Sequence, residues 1–256
     1  MTSEFQGKTA VITGAASGMG LEFSRTFAGL GGNVVMCDIN EEVLAEKARE
    51  INEKREGKAL PVVCNVFHYD EVTAARDKAV AAFGSIDILV NFAGGNSMRM
   101  RKIPKELEFP DIPIEVFDWG LDLNLKGPFY FDHAVLKQMR EQRSGLIVNI
   151  GSITGAEGTA KGMDYATAKA GLMYGLTKSV AQYGAKYGIR CVCVSPGAVM
   201  TRPGMEKLGS LLGRAAEPCE IVDLILFIAS EKGQFIDGEN IMIDGGYNAG
   251  RRERNR

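Results

Sequence analysis

Short β-branched runs alternate with longer amphipathic segments along the whole 256-residue chain. Some of these runs, such as residues 10–12 and 88–90, are apolar throughout, which is typical of strands covered by helices on both faces of a sheet. Strand alternating with helix from end to end predicts an α/β fold with a doubly wound parallel sheet. In such a fold the functional loops follow the carboxyl ends of the strands.

The same patterns give expected positions for the elements. We predict strands at residues 9–13, 33–38, 59–64, 86–91, 145–150, 190–195 and 240–243. We predict helices at 19–29, 41–54, 70–83, 117–142, 164–187 and 218–230. Because no linker or repeat divides the chain, we expect a single domain over residues 1–250, followed by a basic, frayed tail at 251–256.

Composition and charge argue against several classes of protein. The 30 basic and 32 acidic side chains give a net charge of −2, so neither nucleic acid nor an anionic membrane is expected as a partner. No apolar stretch approaches the roughly 18 residues of a membrane span. The first seven residues lack the basic and apolar regions of a signal peptide. We therefore expect a cytoplasmic protein.

Cysteines and histidines offer little for metal or disulfide chemistry. The five cysteines form no C-x-x-C pair, and four of them lie in apolar runs, where a thiol behaves as a small apolar group. The two histidines, His68 and His133, are far apart in the sequence. We expect neither a disulfide framework nor a metal site.

A glycine-rich turn follows the first predicted strand and opens the first helix. It reads Thr13-Gly14-Ala15-Ala16-Ser17-Gly18-Met19-Gly20, with the glycines spaced as G-x-x-x-G-x-G. Glycines let the backbone turn sharply and approach a pyrophosphate, and the helix N-terminus offers free N–H groups to that anion. Between a strand and a helix, this pattern predicts a dinucleotide site.

Asp38 indicates which dinucleotide is preferred. It ends the second predicted strand, about 20 residues beyond the glycine turn, where an acid accepts hydrogen bonds from ribose hydroxyls. A carboxylate there repels a 2′-phosphate, and no basic residue occurs at positions 15–17 or 39 to offset it. We expect NAD(H) to be preferred over NADP(H).

Tyr165 and Lys169 are four residues apart in a predicted helix, so both project from one face. A tyrosine with a pKa near ~10 is a poor base at neutral pH, and a neighbouring ammonium group favours its phenolate form. Ser152 follows the fifth predicted strand, and its hydroxyl can hold a carbonyl oxygen against Tyr165. Together with the glycine turn, these residues predict a site for proton transfer.

These motifs together resemble the short-chain dehydrogenase/reductase family, in the subgroup with a Tyr-x-x-x-Lys helix. The resemblance extends from Lys8 to Gly246 and implies a Rossmann fold. Its further elements are Asn91-Phe92-Ala93-Gly94, Asn124, Pro196-Gly197 with Thr201, and Asp244-Gly245-Gly246.

The resemblance implies a role for each matching residue. Tyr165 would be the general acid/base, and Ser152 would orient the substrate oxygen. Lys169 would bind the nicotinamide ribose and lower the tyrosine pKa, while Asn124 would hold a water that relays protons. Tyr165 and Lys169 are expected to contact the cofactor as well, and the other expected cofactor contacts are Gly14, Ser17, Gly18, Met19, Gly20, Asp38, Asn65, Val66, Asn91, Ala93, Gly94, Pro196, Gly197, Val199 and Thr201.

Two positions depart from the family pattern. Phe92 replaces the usual second Asn of Asn-Asn-Ala-Gly, a change we expect to affect packing more than chemistry. Asn65 replaces the usual Asp before Val66, and its amide oxygen can still accept from an adenine amino group. Because neither change touches the predicted catalytic set, we expect an active enzyme that moves a hydride between nicotinamide and substrate.

The substrate is less constrained than the chemistry. The 94–113 segment is long and carries Arg99 and Arg101, either of which could meet an anionic substrate group or remain solvated. The expected lid at 201–214 is short. Polar residues after Ser152 favour a hydroxylated substrate slightly. Sugar or polyol derivatives, hydroxysteroids and 3-oxoacyl thioesters all remain open.

Other functions fit parts of the sequence. A non-catalytic NAD(H)-sensing Rossmann module would not need the Ser152, Tyr165, Lys169 and Asn124 set. An epimerase or dehydratase of the superfamily's longer branch fits poorly, because this chain is short and its glycines are spaced differently. The family implies a homotetramer built on the long helices and the last strand, although their apolar faces would also suit core packing.

Overall fold

The computed structural model describes residues 4–54, 58–205 and 209–249. Seven parallel strands form one sheet in the order β3-β2-β1-β4-β5-β6-β7. The strands are β1 (Thr9–Thr13), β2 (Asn33–Asp38), β3 (Ala59–Val63), β4 (Ile88–Asn91), β5 (Gly145–Ile150), β6 (Ile189–Pro196) and β7 (Asn240–Ile243). The predicted doubly wound parallel sheet is confirmed.

Ten α-helices occur in the described part of the chain. They are α1 (Gly18–Gly29), α2 (Glu41–Lys54), α3 (Tyr69–Phe83), α4 (Ser97–Met100), α5 (Ile114–Leu121), α6 (Gly127–Gln142), α7 (Ile153–Glu157), α8 (Met163–Ala170), α9 (Thr177–Gly184) and α10 (Pro218–Ala229). Short 3₁₀ turns lie at Phe109–Asp111, Ala185–Tyr187 and Glu231–Gly233.

The sequence patterns misjudged some element boundaries and the regularity of two helices. The fourth strand begins at Ile88 rather than at residue 86, and the helix expected at 117–142 begins at Ile114. That helix and the one expected at 164–187 each contain a π-helical turn, at Asp122–Lys126 and Gly171–Leu176. The apolar pattern continues across these turns, so the sequence does not reveal them. The expected tail at 251–256 lies outside the described residues.

The two faces of the sheet are covered by different helices. Side chains from α1, α2 and α10 pack on one face, where Phe23, Leu44 and Ile225 are fully buried. Side chains from α3, α6 and α9 pack on the other. Neighbouring strand residues such as Val11 and Ile12 belong to opposite clusters, because successive side chains of a strand alternate between faces. Burial on both faces explains the continuously apolar strand sequences.

The strand order reverses between β1 and β4, and this reversal fixes the position of the cleft. From β1 the chain proceeds outward through β2 and β3, and it then returns to place β4 on the other side of β1. The loops after β1 and β4 therefore diverge and leave a crevice at the carboxyl ends of the strands.

The long segment at 94–113 is partly ordered by its own small core. It contains α4 and one 3₁₀ turn. Ile112, Val116 and Phe117 form a buried cluster against which Met98, Ile103 and Leu107 pack. The segment is thus anchored beside the cleft.

A buried polar network ties two central strands to α6. Asn91 on β4 donates a hydrogen bond from Nδ2 to Oδ1 of Asp132 (2.8 Å), and Asn149 on β5 donates to Oδ2 (3.2 Å). Asn91 Nδ2 also donates to Asn149 Oδ1. The Asp132 side chain is only 1% exposed, and burial raises its pKa from 3.8 to about 7. Its two amide donors partly oppose that rise.

This raised pKa predicts a distinctive dependence of stability on pH. Between pH 4 and pH 7 the folded protein keeps the Asp132 proton while the unfolded chain releases it. The free energy of unfolding should therefore fall as pH rises through this range, by about 4 kcal/mol relative to an Asp132→Asn variant. Urea unfolding of both proteins at fixed concentration measures the difference. A difference that does not change with pH would contradict the assignment.

Candidate active site

A cleft of about 1170 Å³ opens at the carboxyl ends of the strands. Nearly all the residues expected to form the site line it. They are Gly14, Ser17, Gly18, Met19, Gly20, Asp38, Asn65, Val66, Ala93, Gly94, Ser152, Tyr165, Lys169, Pro196, Gly197, Val199 and Thr201. Asn91 and Asn124 do not line the cleft and lie behind its wall, where both are buried.

The glycine turn forms one end of the cleft. Gly14 and Gly18 have φ angles of +66° and +54°, a region that glycine enters without steric cost. A Cβ on Gly20 would lie 2.4 Å from the Gly14 carbonyl oxygen, so only glycine permits this close approach. α1 starts within the turn, and no side chain caps its first N–H groups. Open backbone donors at a helix N-terminus suit a pyrophosphate.

Asp38 is held beside this turn by backbone donors. Its Oδ2 accepts a hydrogen bond from the Ala16 N–H (3.1 Å), and its Oδ1 accepts from the Asn40 N–H (3.0 Å). The carboxylate therefore has a fixed place on the cleft wall next to the anion-binding turn. No lysine or arginine is among the wall residues that follow β2 and β3.

Asn65 and Phe92, the two departures from the family pattern, both lie on the cleft wall. The Asn65 amide oxygen accepts a hydrogen bond from the Phe67 N–H (3.1 Å). The Phe92 ring packs against Phe23 of α1, with ring centroids 6.0 Å apart. Phe92 thus joins the aromatic core below the glycine turn.

Ser152, Tyr165 and Lys169 converge at the other end of the cleft. Ser152 follows β5 and caps α7, with its Oγ accepting from the Thr154 N–H. The Lys169 Nζ lies 5.6 Å from the centroid of the Tyr165 ring and donates to the Ile150 carbonyl oxygen (2.6 Å). β5 and α8 together therefore bring the predicted proton-transfer residues into one site.

Burial shifts the pKa values of both ionisable groups in this set. It lowers the pKa of Lys169 from 10.5 to about 8, because removing the ammonium group from water disfavours its charge. Burial also raises the pKa of Tyr165, and the Ser152 hydroxyl, Arg202 and Arg99 oppose that rise. The cations that most affect the Tyr165 hydroxyl are thus arginines of the cleft wall.

Asn124 lies in the π turn between α5 and α6 and holds the strand-to-helix loop after β4. Its Nδ2 donates to the Gly95 and Gly120 carbonyl oxygens (both 2.9 Å), and its Oδ1 accepts from the Gly95 N–H (2.8 Å). A Cβ on Gly94 would lie 2.9 Å from Asn124 Oδ1 and 3.4 Å from Lys169 Nζ. The absence of a side chain at Gly94 lets these two groups approach each other.

The loop after β6 closes the cleft over the glycine turn. Gly197 donates its N–H to the Ile243 carbonyl oxygen of β7 (3.0 Å), and Val199 pairs with Ala216 in an isolated bridge. The Thr201 methyl group lies 3.6 Å from where a Cβ of Gly18 would be. Residues 206–208 of the expected lid lie outside the described residues.

The structure separates the two arginines considered for an anionic substrate. Arg99 lines the cleft, whereas Arg101 is not on its wall and stacks over Trp119, 5.8 Å from the ring centroid. Sequence reasoning missed Arg202, which also lines the cleft. Its position directly after Thr201, an expected cofactor contact, is the sequence signal that could have identified Arg202 as a wall residue. Trp119, the only tryptophan in the chain, is a second wall residue that was missed.

The structure also bears on the membrane spans, metal sites and disulfides that were considered from the composition. Over residues 4–54, 58–205 and 209–249, no helix is both long and apolar enough to cross a bilayer. The same part of the chain contains no group of three or more His, Cys, Asp or Glu side chains arranged to hold a metal ion. All five cysteines are free thiols, and only Cys219 is exposed.

Comparisons with known proteins agree with this geometry. A family model described as short chain dehydrogenase matches residues 8–208. The chain is 37% identical to the 3-oxoacyl-[acyl-carrier-protein] reductase FabG of Thermotoga maritima, over 94% of this chain and 98% of that protein. It is 38% identical to the trans-4-hydroxycyclohexanecarboxylate dehydrogenase of Sinomonas cyclohexanicum, over 95% of this chain and 93% of that protein.

A solved structure shows the same fold. The crystal structure of a 3-oxoacyl-[acyl-carrier protein] reductase with bound NAD from Brucella melitensis aligns with a TM-score of 0.85 and 28% identity, over 95% of this chain and 92% of that one. Fold, site and relatives together define an oxidoreductase with a nicotinamide-dinucleotide fold. The chain belongs to the short-chain dehydrogenase family.

Proposed function

We propose that this protein is an NAD(H)-dependent oxidoreductase that interconverts a secondary alcohol and its ketone, with Tyr165 as the general acid/base. The observation that carries the proposal is the placement of Tyr165 between Ser152 and Lys169, in the same cleft as the glycine turn and Asp38. Cofactor and substrate can therefore meet at one tyrosine hydroxyl.

The chain's own residues divide the work as follows. The Ser152 hydroxyl donates a hydrogen bond to the substrate oxygen and holds it beside Tyr165. During reduction, the Tyr165 hydroxyl donates its proton to the carbonyl oxygen; during oxidation, the phenolate takes a proton from the alcohol. When bound, the nicotinamide supplies or accepts the hydride.

Lys169 and Asn124 support that proton transfer. The Lys169 ammonium group would bind the nicotinamide ribose and would favour the phenolate of Tyr165, since it remains mostly charged below its lowered pKa of about 8. Asn124 fixes the Gly95 backbone and, with the water it would hold, connects Lys169 to solvent.

The wall residues from Gly14 to Gly20 would cradle the pyrophosphate. Asn65, Val66, Ala93 and Gly94 would border the adenosine half, and Pro196, Gly197, Val199 and Thr201 the nicotinamide half. Asn91, also expected there, lies behind the wall and bonds to Asp132 and Asn149 instead.

The proposal also includes the class of substrate and the oligomeric state. The names of the two relatives describe a 3-oxoacyl reductase and a dehydrogenase of a hydroxycyclohexanecarboxylate, and both support a secondary alcohol or ketone as substrate. The family resemblance implies a homotetramer built on the long helices and the last strand, and the exposed Phe129 and Tyr174 side chains on those helices fit such an interface. A cytoplasmic location fits these features, and it stays a prediction.

An NAD(H)-sensing module without catalysis is the second candidate. It would use the same glycine turn and Asp38 but would not need Ser152, Tyr165 and Lys169 together. Because the structure brings all three to one end of the cleft, catalysis is the better-supported function.

Substitution of Tyr165 by Phe tests catalysis directly. Removing the hydroxyl takes away the proton donor, so turnover followed at 340 nm should fall by about 10²- to 10⁴-fold. Affinity for NADH, measured by calorimetry, should stay within about twofold, because the ring remains. Tyr183→Phe, on the exposed side of α9, is the matched control and should retain full activity. Unchanged turnover in Tyr165→Phe would refute the proposed role.

Substitution of Asp38 by Ala tests the cofactor preference. The change removes both the acceptor for ribose hydroxyls and the negative charge that repels a 2′-phosphate. The ratio of kcat/KM for NADH to that for NADPH should fall by about 10-fold or more, as expected for loss of a charged hydrogen bond. The control Glu42→Gln removes an exposed charge from α2 and should keep the ratio. If wild-type protein prefers NADPH, the role assigned to Asp38 is wrong.

A further inference from the structure

Two arginines, Arg99 and Arg202, line the cleft together with Tyr165. Arg99 belongs to α4, where its N–H donates to the Asn96 Oδ1 (3.2 Å). The Arg99 Nη2 lies 3.3 Å from where a Cβ of Gly95 would be, so the guanidinium rests over the backbone that Asn124 holds. One cation therefore lies beside the Gly94-Gly95 backbone, which is close to Lys169.

Arg202 approaches the same place from the opposite wall. It follows Thr201, whose methyl group packs beside Gly18 at the start of α1, and its side chain lines the cleft. Both arginines act on the charge of the Tyr165 hydroxyl. Arg99 and Arg202 also act on each other as like charges. Arg99, Arg202 and Tyr165 thus lie on the wall of one cleft, within range of one another's charge.

Within the described part of the chain, the ion pairs include neither Arg99 nor Arg202. The acidic residues on the cleft wall are Asp38 and Glu157. Asp38 is held beside the glycine turn, and the charges that act on Arg99 are those of Arg202 and Tyr165. Two neighbouring cations in a cleft create a local positive potential that attracts anions.

We propose that Arg99 and Arg202 form an oxyanion-binding site that selects a substrate with a carboxylate or phosphate group close to its secondary alcohol. This inference rests on the proposed function, because the alcohol must lie at Tyr165 while the anion lies between the arginines. A guanidinium group presents parallel N–H donors that match both carboxylate and phosphate oxygens. Neutral sterols or polyols would leave both cations without a partner.

The position of the anion has a consequence for substrate size. Because Arg99, Arg202 and Tyr165 line one cleft, an anion held by the arginines and an alcohol at Tyr165 would belong to one small molecule. The structure therefore favours a compact hydroxy acid or a phosphorylated alcohol over a long chain whose charge lies far from the reacting carbon. Arg101 takes no part, because its side chain does not line the cleft. It stacks over the ring of Trp119 instead.

Binding to the NADH-saturated protein provides the first test. Three probes of similar shape are titrated by calorimetry: cyclohexanecarboxylate, cyclohexyl phosphate and the neutral cyclohexanecarboxamide. At least one anionic probe should bind about 10-fold or more tightly than the amide, as charge-assisted hydrogen bonds predict. The stronger of the two anions identifies carboxylate or phosphate as the selected group. Equal affinity for all three probes, or binding of none, would overturn the proposal.

Variants assign the effect to the two side chains. Arg99→Gln and Arg202→Gln should each weaken anion binding by about 10-fold or more, with the amide unaffected. Arg99→Lys should restore part of the loss, because it keeps the charge without the paired donors. Arg101→Gln is the control, and it should bind like wild type. Equal losses for anion and amide in the Gln variants would indicate a structural effect and contradict the proposal.

Turnover separates this proposal from the proposed function. The substrates are 4-oxocyclohexanecarboxylate and its methyl ester, which differ at the anionic group. Preference for the acid, expressed in KM and lost in Arg99→Gln, is expected. If the ester is reduced as well as the acid, the proposed function stands and the oxyanion site fails. If the protein binds no NADH but still selects the anionic probe without it, the oxyanion site stands and the proposed function fails.

Discussion

The buried ammonium group of Lys169 is the constraint around which the site is built. Its side chain is 3% exposed, and burial lowers its pKa to about 8. The Ile150 carbonyl oxygen accepts its hydrogen bond at the end of β5, and Gly94 leaves room for it by lacking a side chain. A buried cation is costly unless it is hydrogen-bonded. Strand β5, the loop after β4 and helix α8 must therefore all keep their relative positions.

Irregular backbone near the site provides part of that arrangement. The two longest helical segments both contain a π turn, one at Asn124 and one directly after α8, which carries Lys169. Such turns are frequent at functional sites because they re-aim side chains without ending the helix. Here the first turn places the Asn124 amide against Gly95 and Gly120. The loop that carries Arg99 is thereby connected to the catalytic end of the cleft.

Much of this arrangement follows from the sequence. The seven strands, the glycine turn and the position of Asp38 at the end of β2 all depend on local patterns. Apolar periodicity and glycine spacing reflect such local structure directly. The Tyr165–Lys169 pair could also be foreseen, because helical spacing alone places two residues four apart on one face. These predictions needed no knowledge of distant contacts.

The remaining features depend on contacts between segments far apart in the chain. Arg202 approaches Arg99 and Tyr165 only because the loop after β6 folds over the glycine turn. In the sequence, Asp132 is an ordinary polar residue of a predicted helix. Its burial against Asn91 and Asn149 arises only when β4, β5 and α6 are assembled. The π turns do not interrupt the apolar pattern, so the sequence periodicity predicts two continuous helices.

The most direct test of the account is the pH dependence of the reaction in both directions. Oxidation of the alcohol requires the phenolate of Tyr165, and reduction of the ketone requires its protonated hydroxyl. With saturating cofactor, kcat for oxidation should rise with pH while kcat for reduction falls, each following the ionisation of Tyr165 in its own complex. Rates that change in the same sense in the two directions, or that do not vary between pH 6 and pH 10, would contradict a tyrosine acid/base at the centre of this site.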